Sequence, residues 1–207
     1  DVPGIEGRRI SIETTSKVWN CCGLRVGALI TDNEEFHTKA VAENTANLCS
    51  SAIGQYIFGA IAHETHEDLN KWYSKISGYY KPMLADFCSE LKSRLPGVIV
   101  SSPDSSIYSV IDVRDIAPAG FKAMDFVLYC AKEGKVELDG EYYTLLVAPM
   151  SGFYSVEKGE KNPGDTQMRV AYVPAKEDMK KAPLLFEKLF KAYTSSMREP
   201  ALASAKN

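Results

Sequence analysis

The chain has 207 residues, of which 45% are hydrophobic and 25% are charged, a composition typical of a globular protein. Its formal net charge of −3 gives no basic field for a phosphate backbone, which argues against a nucleic-acid partner. No apolar run reaches the roughly 18 residues that a membrane span requires, and the first residues lack the regions of a secretory signal. We therefore expect neither a nucleic acid nor a membrane as a partner.

The five cysteines stand at positions 21, 22, 49, 88 and 130. None shows paired CxxC spacing, and the adjacent Cys21 and Cys22 are poor disulfide partners for each other. Reduced thiols are typical of the cytosol, so we expect a cytoplasmic protein whose cysteines serve as small buried packing residues.

Strands and helices alternate in the first third of the chain. Residues 10–12 alternate as a short strand does, and Gly23 to Thr31 is apolar enough for a second strand buried on both faces. Asn33 is a suitable N-cap for a helix over about Glu34 to Leu48. A further helix is expected over about 51–62.

One long amphipathic helix is predicted over about 65–95, where apolar residues recur at spacings of three and four. Thr65 and Asp68 form a capping pair at its start. Gly78 and Pro82 predict a bend within it. Because a helix of this length often bridges two domains, we expect the domain boundary to lie inside it.

The remainder of the chain mixes the two periodicities. Strands are predicted over 98–102, 107–113, 143–148 and 168–173, and helices over 121–132 and 176–197. A polar loop rich in glycine and proline covers 157–165, and Pro183 is expected in the first turns of the last helix or at a kink.

These elements predict a protein of the α/β class in two parts. Residues 1–75 are expected to be the remnant of an α/β sheet domain, and residues 76–207 a smaller α+β domain. The helix over about 65–95 joins them.

The most informative segment lies between the first two predicted strands. Lys17 follows the hydroxyl residues Thr14, Thr15 and Ser16, and Arg25 stands eight residues after it. A lysine amine can form an imine with an aldehyde, and a phosphate on the same molecule favours hydroxyl donors and an arginine fork. From residue types alone, a solvated loop lysine and a surface ion-pair arginine remain the alternative.

The pattern as a whole resembles the lysine signature of the class I/II, fold-type I, aminotransferases. In that family Ser-x-Ser-Lys is followed by a short loop and Gly-x-Arg-x-Gly. Here Ser16-Lys17 and Gly23-Leu24-Arg25-Val26-Gly27 match it, and Thr14 replaces the first serine with its hydroxyl kept. The resemblance implies the cofactor pyridoxal 5'-phosphate, with Lys17 as the catalytic Schiff-base lysine. Thr14 and Arg25 would bind the cofactor phosphate, and Ser16 would assist.

A second match lies downstream. Residues 147–154 look like the segment that lines the substrate pocket in this family, and residues 168–172 look like the strand whose arginine holds the substrate α-carboxylate. By this resemblance Arg169 and Phe153 bind the substrate, and a guanidinium suits the task because it pairs bidentately with a carboxylate. Taken alone, Arg169 reads as a strand-end charge on a solvent face.

The resemblance also implies what the whole enzyme does. It would transfer an amino group between an amino acid and a 2-oxo acid. The amino acid would be aspartate or a similar one, because residues 20–29 and 149–154 look most like an aspartate aminotransferase-like subgroup. The implied fold is the C-terminal part of the family's large cofactor-binding domain over residues 1–75, with a mixed and mostly parallel sheet, plus the smaller α+β domain over 76–207. A homodimer is expected.

Several of the family's cofactor-binding groups precede the lysine by more residues than stand here. These are the aspartate that pairs with the pyridine nitrogen, the aromatic that stacks on the ring, and the glycine-rich phosphate turn. We therefore expect the chain to be the C-terminal half of the enzyme, with the N-terminal half of the same enzyme as its partner.

Two alternatives stay open from the sequence. The lysine motif does not fix the reaction, so a decarboxylase or lyase of the same fold is one, and a non-catalytic fragment that retains the fold is the other. No metal site is expected, since His63-Glu64-Thr65-His66 brings its second histidine one residue too early for the zinc helix motif.

Overall fold

The computed structural model of the protein describes residues 2–47 and 50–204. The chain divides into two compact units, Asp1–Lys75 and Ile76–Asn207. The assignment of these units to a cofactor-binding domain and a small domain stays a prediction.

The first unit is built on a β-hairpin. β1 (Ile10–Thr14) pairs antiparallel with β2 (Gly27–Thr31), so that Thr14 lies opposite Gly27. Three helices accompany the hairpin: α1 (Thr15–Val18), α2 (Glu34–Asn47) and α3 (Ala52–Gly59). The Asn33 side chain caps α2 by accepting a hydrogen bond from the Phe36 N–H at 2.8 Å. The two helices predicted over about 34–48 and 51–62 are confirmed as α2 and α3. Leu48 lies outside the described residues.

The second strand differs from its prediction. It begins at Gly27, because Cys22–Leu24 forms a 3₁₀ turn and Arg25 takes a left-handed conformation with φ 56°. Its side chains are largely exposed, Ile30 by 56%, so the prediction of burial on both faces is wrong. An apolar strand is buried only where another layer covers it, and β1 is the only described strand that pairs with β2.

The mixed α/β fold class is confirmed, but its described strands all pair antiparallel. The resemblance implied a mostly parallel sheet in the first domain. Between β1 and β2 the chain makes only one helical turn and one 3₁₀ turn. A parallel crossover usually needs a full helix to carry the chain back to the start of the sheet.

The long helix is confirmed as α4 (His66–Arg94), with Pro82 inside it. The Thr65 hydroxyl accepts a hydrogen bond from the Asp68 N–H at 3.2 Å and donates one to the Asp68 carboxylate at 2.6 Å. This reciprocal pair satisfies one of the free N–H groups at the helix start. The boundary between the two units falls within α4.

The second unit contains a four-stranded antiparallel sheet in the order β3-β4-β8-β7 and a separate hairpin of β5 and β6. The strands are β3 (Ile99–Val100), β4 (Tyr108–Asp112), β5 (Val136–Leu138), β6 (Glu141–Tyr143), β7 (Ala148–Pro149) and β8 (Gln167–Ala171). Two further helices belong to this unit: α5 (Ala123–Lys132) and α6 (Lys176–Ser204).

The single strand predicted over 143–148 is wrong. Tyr143 ends β6 and Ala148 begins β7, and these two strands pair with different partners. Between them the Thr144 hydroxyl donates a hydrogen bond to the Cys130 carbonyl at 2.7 Å. The chain leaves one sheet and joins another in this stretch, so one continuous ladder cannot form.

The core of the second unit follows the alternation of its central strands. Ile111 of β4 and Met168 of β8 are fully buried on one face. α6 packs an apolar face on this core, and Phe186 is 0% exposed. Tyr193 of the same helix is partly buried against the core.

The cysteine prediction is confirmed in part. Cys88 and Cys130 are buried, and burial raises the pKa of the Cys130 thiol to about 12. Cys22 is exposed because it begins the surface 3₁₀ turn, so the packing prediction is wrong there, and Cys49 lies outside the described residues. Within 2–47 and 50–204, none of the helices has the length and apolarity that crossing a membrane requires.

Candidate active site

The predicted cofactor lysine lies in a short, well-anchored turn at one end of the β-hairpin. Lys17 is exposed on α1, directly after β1. The Thr14 hydroxyl is the N-cap of α1, accepting from the Ser16 N–H at 3.2 Å and donating to the Ser16 hydroxyl at 3.0 Å. The structure thus brings Thr14, Ser16 and Lys17 together at the end of the strand.

Thr15 anchors this turn to the following strand segment. It is 2% exposed, and both its N–H and its hydroxyl donate to the Val26 carbonyl, at 3.2 and 3.0 Å. Its own carbonyl accepts from the Cys21 N–H at 3.1 Å. Sequence reasoning treated Thr15 as one of several hydroxyls, but it is buried and holds the two ends of the loop while Lys17 stays exposed.

Arg25 lies on the returning segment, two residues before the strand partner of Thr14. Its backbone is left-handed, which is uncommon for a residue other than glycine, and one guanidinium nitrogen donates to the Cys22 carbonyl at 3.1 Å. Gly54 of α3 packs against this bend, where an added Cβ would lie 2.9 Å from a Val26 methyl carbon and closer still to the Leu24 carbonyl. Strain of this kind, about 1–3 kcal/mol, persists only where surrounding contacts hold it.

An aromatic cluster supports the other side of α1. The Trp19 ring stacks on the Trp72 ring with centroids 6.2 Å apart and planes inclined by 8°. The Trp72 indole N–H donates to the Val18 carbonyl at 3.1 Å. This bond satisfies a carbonyl at the C-terminal end of α1, so α4 holds the helix that carries Lys17.

The groups at this end of the hairpin fit a phosphorylated aldehyde cofactor. Lys17 offers a primary amine with no hydrogen-bond or ion-pair partner among the described residues, and Ser16 keeps a hydroxyl proton to donate. Arg25 offers an exposed guanidinium. An amine, a hydroxyl donor and a guanidinium are the groups that an aldehyde and a phosphate require.

The predicted carboxylate-binding residue lies in the second unit, in the middle of β8. Arg169 faces Val110 of β4 and Ala148 of β7 in the strand register. Its side chain is on the sheet face opposite the buried Met168 and Val170. Its guanidinium carbon lies 4.6 Å from the centroid of the Tyr108 ring and 5.0 Å from that of the Phe153 ring.

Tyr108 is a residue of this site that sequence reasoning missed. It lies opposite Ala171 in the register, which makes it the diagonal cross-strand neighbour of Arg169, and such pairs lie within reach of an aromatic side chain. Among the residues that the structure describes, none accepts a hydrogen bond or forms an ion pair with Arg169. Its N–H donors therefore remain available for a carboxylate.

Phe153 belongs to a 3₁₀ turn, Ser151–Phe153, that follows β7. Its N–H donates to the Met150 carbonyl at 2.9 Å, and its side chain is 56% exposed. The structure therefore brings together Arg169 and Phe153, the two residues that the sequence predicted for the substrate.

A buried acidic residue anchors the strand ends beside this face. The Asp112 carboxylate accepts hydrogen bonds from the Arg114 side chain and N–H, from the Thr166 hydroxyl at 2.9 Å and from the Gln167 amide at 2.9 Å. Burial works to raise the pKa of Asp112, but the hydrogen bonds, first that of Arg114, outweigh it and hold the pKa below its ordinary value. Over the described ranges, His, Cys, Asp and Glu form no group of three or more that could hold a metal ion.

Comparison with known proteins identifies the family of the chain. The family described as aminotransferase class I and II matches residues 3–179 of the chain. The chain belongs to the class I and II aminotransferase family. No protein with a curated description is a significant match to it.

Solved structures share the fold. The kynurenine aminotransferase of Pyrococcus horikoshii is 19% identical, with a TM-score of 0.67 over 91% of this chain. The alpha-aminoadipate aminotransferase of Thermus thermophilus is 17% identical, with a TM-score of 0.65 over 88% of this chain. The valine–pyruvate aminotransferase of Salmonella typhimurium is 13% identical, with a TM-score of 0.69 over 92% of this chain. At these identities the likeness concerns the fold. The chain spans 42%, 42% and 46% of these three chains, less than half of each.

Proposed function

We propose that the chain is the part of a pyridoxal-phosphate-dependent aminotransferase that carries the cofactor lysine and the carboxylate-binding arginine. The enzyme exchanges the amino group of an amino acid, aspartate or a similar one, for the oxo group of a 2-oxo acid. The observation that carries this proposal is that one chain contains both an exposed Lys17 amine and an Arg169 guanidinium, each without a hydrogen-bond acceptor or ion-pair partner among the described residues. Family membership supports a chemical role for both groups.

The roles of the residues follow from their chemistry. The bound cofactor supplies the sink for the electron pair released at the substrate α-carbon. Lys17 would hold the cofactor aldehyde, and its free amine would move the proton that leaves the substrate α-carbon. Ser16 and Arg25, with Thr14, bind the phosphate, and Arg169 orients the substrate by its carboxylate.

The whole enzyme is proposed to be a cytoplasmic homodimer in which the N-terminal half completes the cofactor site. The lengths of the solved relatives support the second part, since each is more than twice as long as the matched region. A mass measurement of the natural protein tests it directly, because an intact mass near that of this chain alone would contradict it.

Spectroscopy and isotope transfer test the reaction. The natural protein with pyridoxal phosphate should show the visible band of a lysine–aldehyde adduct. Lys17→Ala and Lys17→Arg should both lose it, and Lys81→Ala, at an exposed lysine of α4, should keep it. Label from a ¹⁵N-amino acid should then appear in the amino acid formed from an added 2-oxo acid. Loss of carbon dioxide or of a side-chain fragment instead would identify the decarboxylase or lyase alternative, and absence of the band would identify a non-catalytic chain.

A further inference from the structure

Arg169 is in contact with an aromatic ring that lies outside the strands of the sheet. Phe153 contacts the guanidinium from a 3₁₀ turn outside the strands. The residues that flank this turn are bound to β8, because the Met150 N–H donates to the Gln167 carbonyl at 3.0 Å and the Tyr154 hydroxyl donates to the Gln167 side-chain oxygen at 2.5 Å. Between these two points the turn has its own Phe153–Met150 hydrogen bond. Whatever fixes the turn therefore also fixes the aromatic surface against which Arg169 is oriented.

The segment Asn162–Thr166 supports the middle of the turn by direct contact. The Asn162 side-chain amide donates to the Ser151 carbonyl at 2.8 Å. Its side-chain oxygen accepts from the Gly164 N–H, also at 2.8 Å, and so caps the 3₁₀ helix Pro163–Thr166. One side chain thus ties its own loop to the turn that carries Phe153.

Gly164 brings the two backbones into contact. It is buried, and an added Cβ would lie 2.5 Å from the Ser151 nitrogen and closer still to the Met150 carbonyl. Any side chain here would push the turn away, so the close approach needs glycine.

The supporting loop is itself fastened to the sheet. The Thr166 hydroxyl donates to Asp112, and the Thr166 carbonyl accepts from the Val113 N–H at 3.1 Å. The Lys122 ammonium pairs with the Asp165 carboxylate. The loop is therefore attached to β4 at one point and to the Ser151–Phe153 turn at another, and it holds the turn in a fixed position.

We propose that Asn162, with Gly164, is a positioning residue for carboxylate binding, holding the Ser151–Phe153 turn against Arg169. The proposal rests on the proposed function, because it gives Arg169 the substrate carboxylate as its ligand. Asn162 acts through Phe153, and its loss weakens binding of every substrate with an α-carboxylate while the chemistry at Lys17 continues.

Two substitutions separate positioning from simple capping. Asn162→Ala removes both hydrogen bonds. Asn162→Asp keeps an acceptor for the Gly164 N–H, and Asp is among the best capping residues, but it sets a carboxylate against the Ser151 carbonyl. Lys161→Ala, at an exposed residue of the same loop, is the matched control.

The measurement is the dissociation constant of 2-methylaspartate, which has no α-hydrogen to lose, on the natural protein loaded with pyridoxal phosphate. Both Asn162 variants should weaken binding about five- to tenfold, the effect of one lost hydrogen bond in a well-ordered site. They should raise the KM values of an amino acid and of a 2-oxo acid by a similar factor, and change kcat and the visible band by less than about twofold. Compared with Asn162→Ala, Asn162→Asp should have a higher thermal stability but should bind 2-methylaspartate no more tightly.

Other outcomes are equally decisive. If Asn162→Asp binds as the unaltered protein does, or if neither variant weakens binding, the positioning role is overturned. Arg169→Ala is measured in parallel: if it loses binding while the Asn162 variants keep it, only the positioning role fails. If Arg169→Ala also binds normally, the proposed carboxylate site fails with it.

Discussion

Asp112 gives the sharpest test of how the sheet around Arg169 is held, through the substitution Asp112→Asn. The amide nitrogen of asparagine cannot accept the bonds that one carboxylate oxygen now receives from Arg114 and Gln167. The Arg114 side chain is half exposed and can bind water instead, so the loss of its ion pair with Asp112 costs at most about 1 kcal/mol. Gln167 is buried, and a buried donor without an acceptor costs about 1–3 kcal/mol. We expect a total of about 2–3 kcal/mol at pH 7.

This cost should depend on pH in a definite direction. The folded pKa of Asp112 lies below its ordinary value, so the folded state favours the ionised form. The stability that the charge contributes is present above the unfolded pKa and is lost as the pH falls through the folded pKa. The difference in unfolding free energy between Asp112→Asn and the unaltered protein should therefore become smaller below about pH 4.

Hydrogen exchange of the natural protein, read on peptides covering β4 and β8, measures this locally. A cost of about 2–3 kcal/mol lowers the protection of these amides roughly 30- to 140-fold. Asp104→Asn, the same chemical change at an exposed site, should stay within about twofold. The reasoning is refuted if Asp112→Asn is as protected as the unaltered protein at pH 7. It is refuted equally if the loss of amide protection in Asp112→Asn is as large at pH 3 as at pH 7.

Two further substitutions test the ring contacts. Tyr108→Leu should weaken binding of 2-methylaspartate about two- to fivefold, because a partly exposed cation–π contact contributes about 0.5–1 kcal/mol; calorimetry on Tyr108→Phe, which keeps the ring, should show no loss. Phe186→Ala should lower the unfolding free energy reported by exchange of α6 by about 3–5 kcal/mol. That ring is 0% exposed and lies edge-to-face on Phe126 at 5.7 Å and parallel to Phe190 at 6.0 Å, so a cost under about 1 kcal/mol would contradict the packing.

The sequence predicted the long elements better than the short ones. The helix pattern of α4 spans several turns and carries its own capping pair, so periodicity and local chemistry agree on it. β5 was not predicted, although Asp139-Gly140 is a strong two-residue hairpin signal and both residues have positive φ. The error over 143–148 has a related cause, because a run of apolar residues does not show where a chain exchanges one pairing partner for another.

The sequence offered candidate site residues only where a short motif contains them, as it does for Phe153 and for Arg169. Lys17, Ser16 and Arg25 belong to one short motif, and their spacing is visible in the chain. Tyr108 reaches Arg169 only through the register of β4 on β8, and Asn162 reaches Ser151 only through a loop contact. Neither has a local pattern, because each depends on how distant segments are aligned in the fold.

The contacts of Arg169 explain why these distant residues matter. The guanidinium meets Tyr108 and Phe153 through ring contacts, which leave its N–H donors free because aromatic rings accept no strong hydrogen bond from them. A planar guanidinium binds a carboxylate best when both N–H bonds meet both oxygens at once. The rings therefore restrict the plane of the group while leaving its binding edge open. On that basis the support of the Phe153 turn should affect how tightly a carboxylate is bound and should have little effect on the proton transfer that we propose for Lys17.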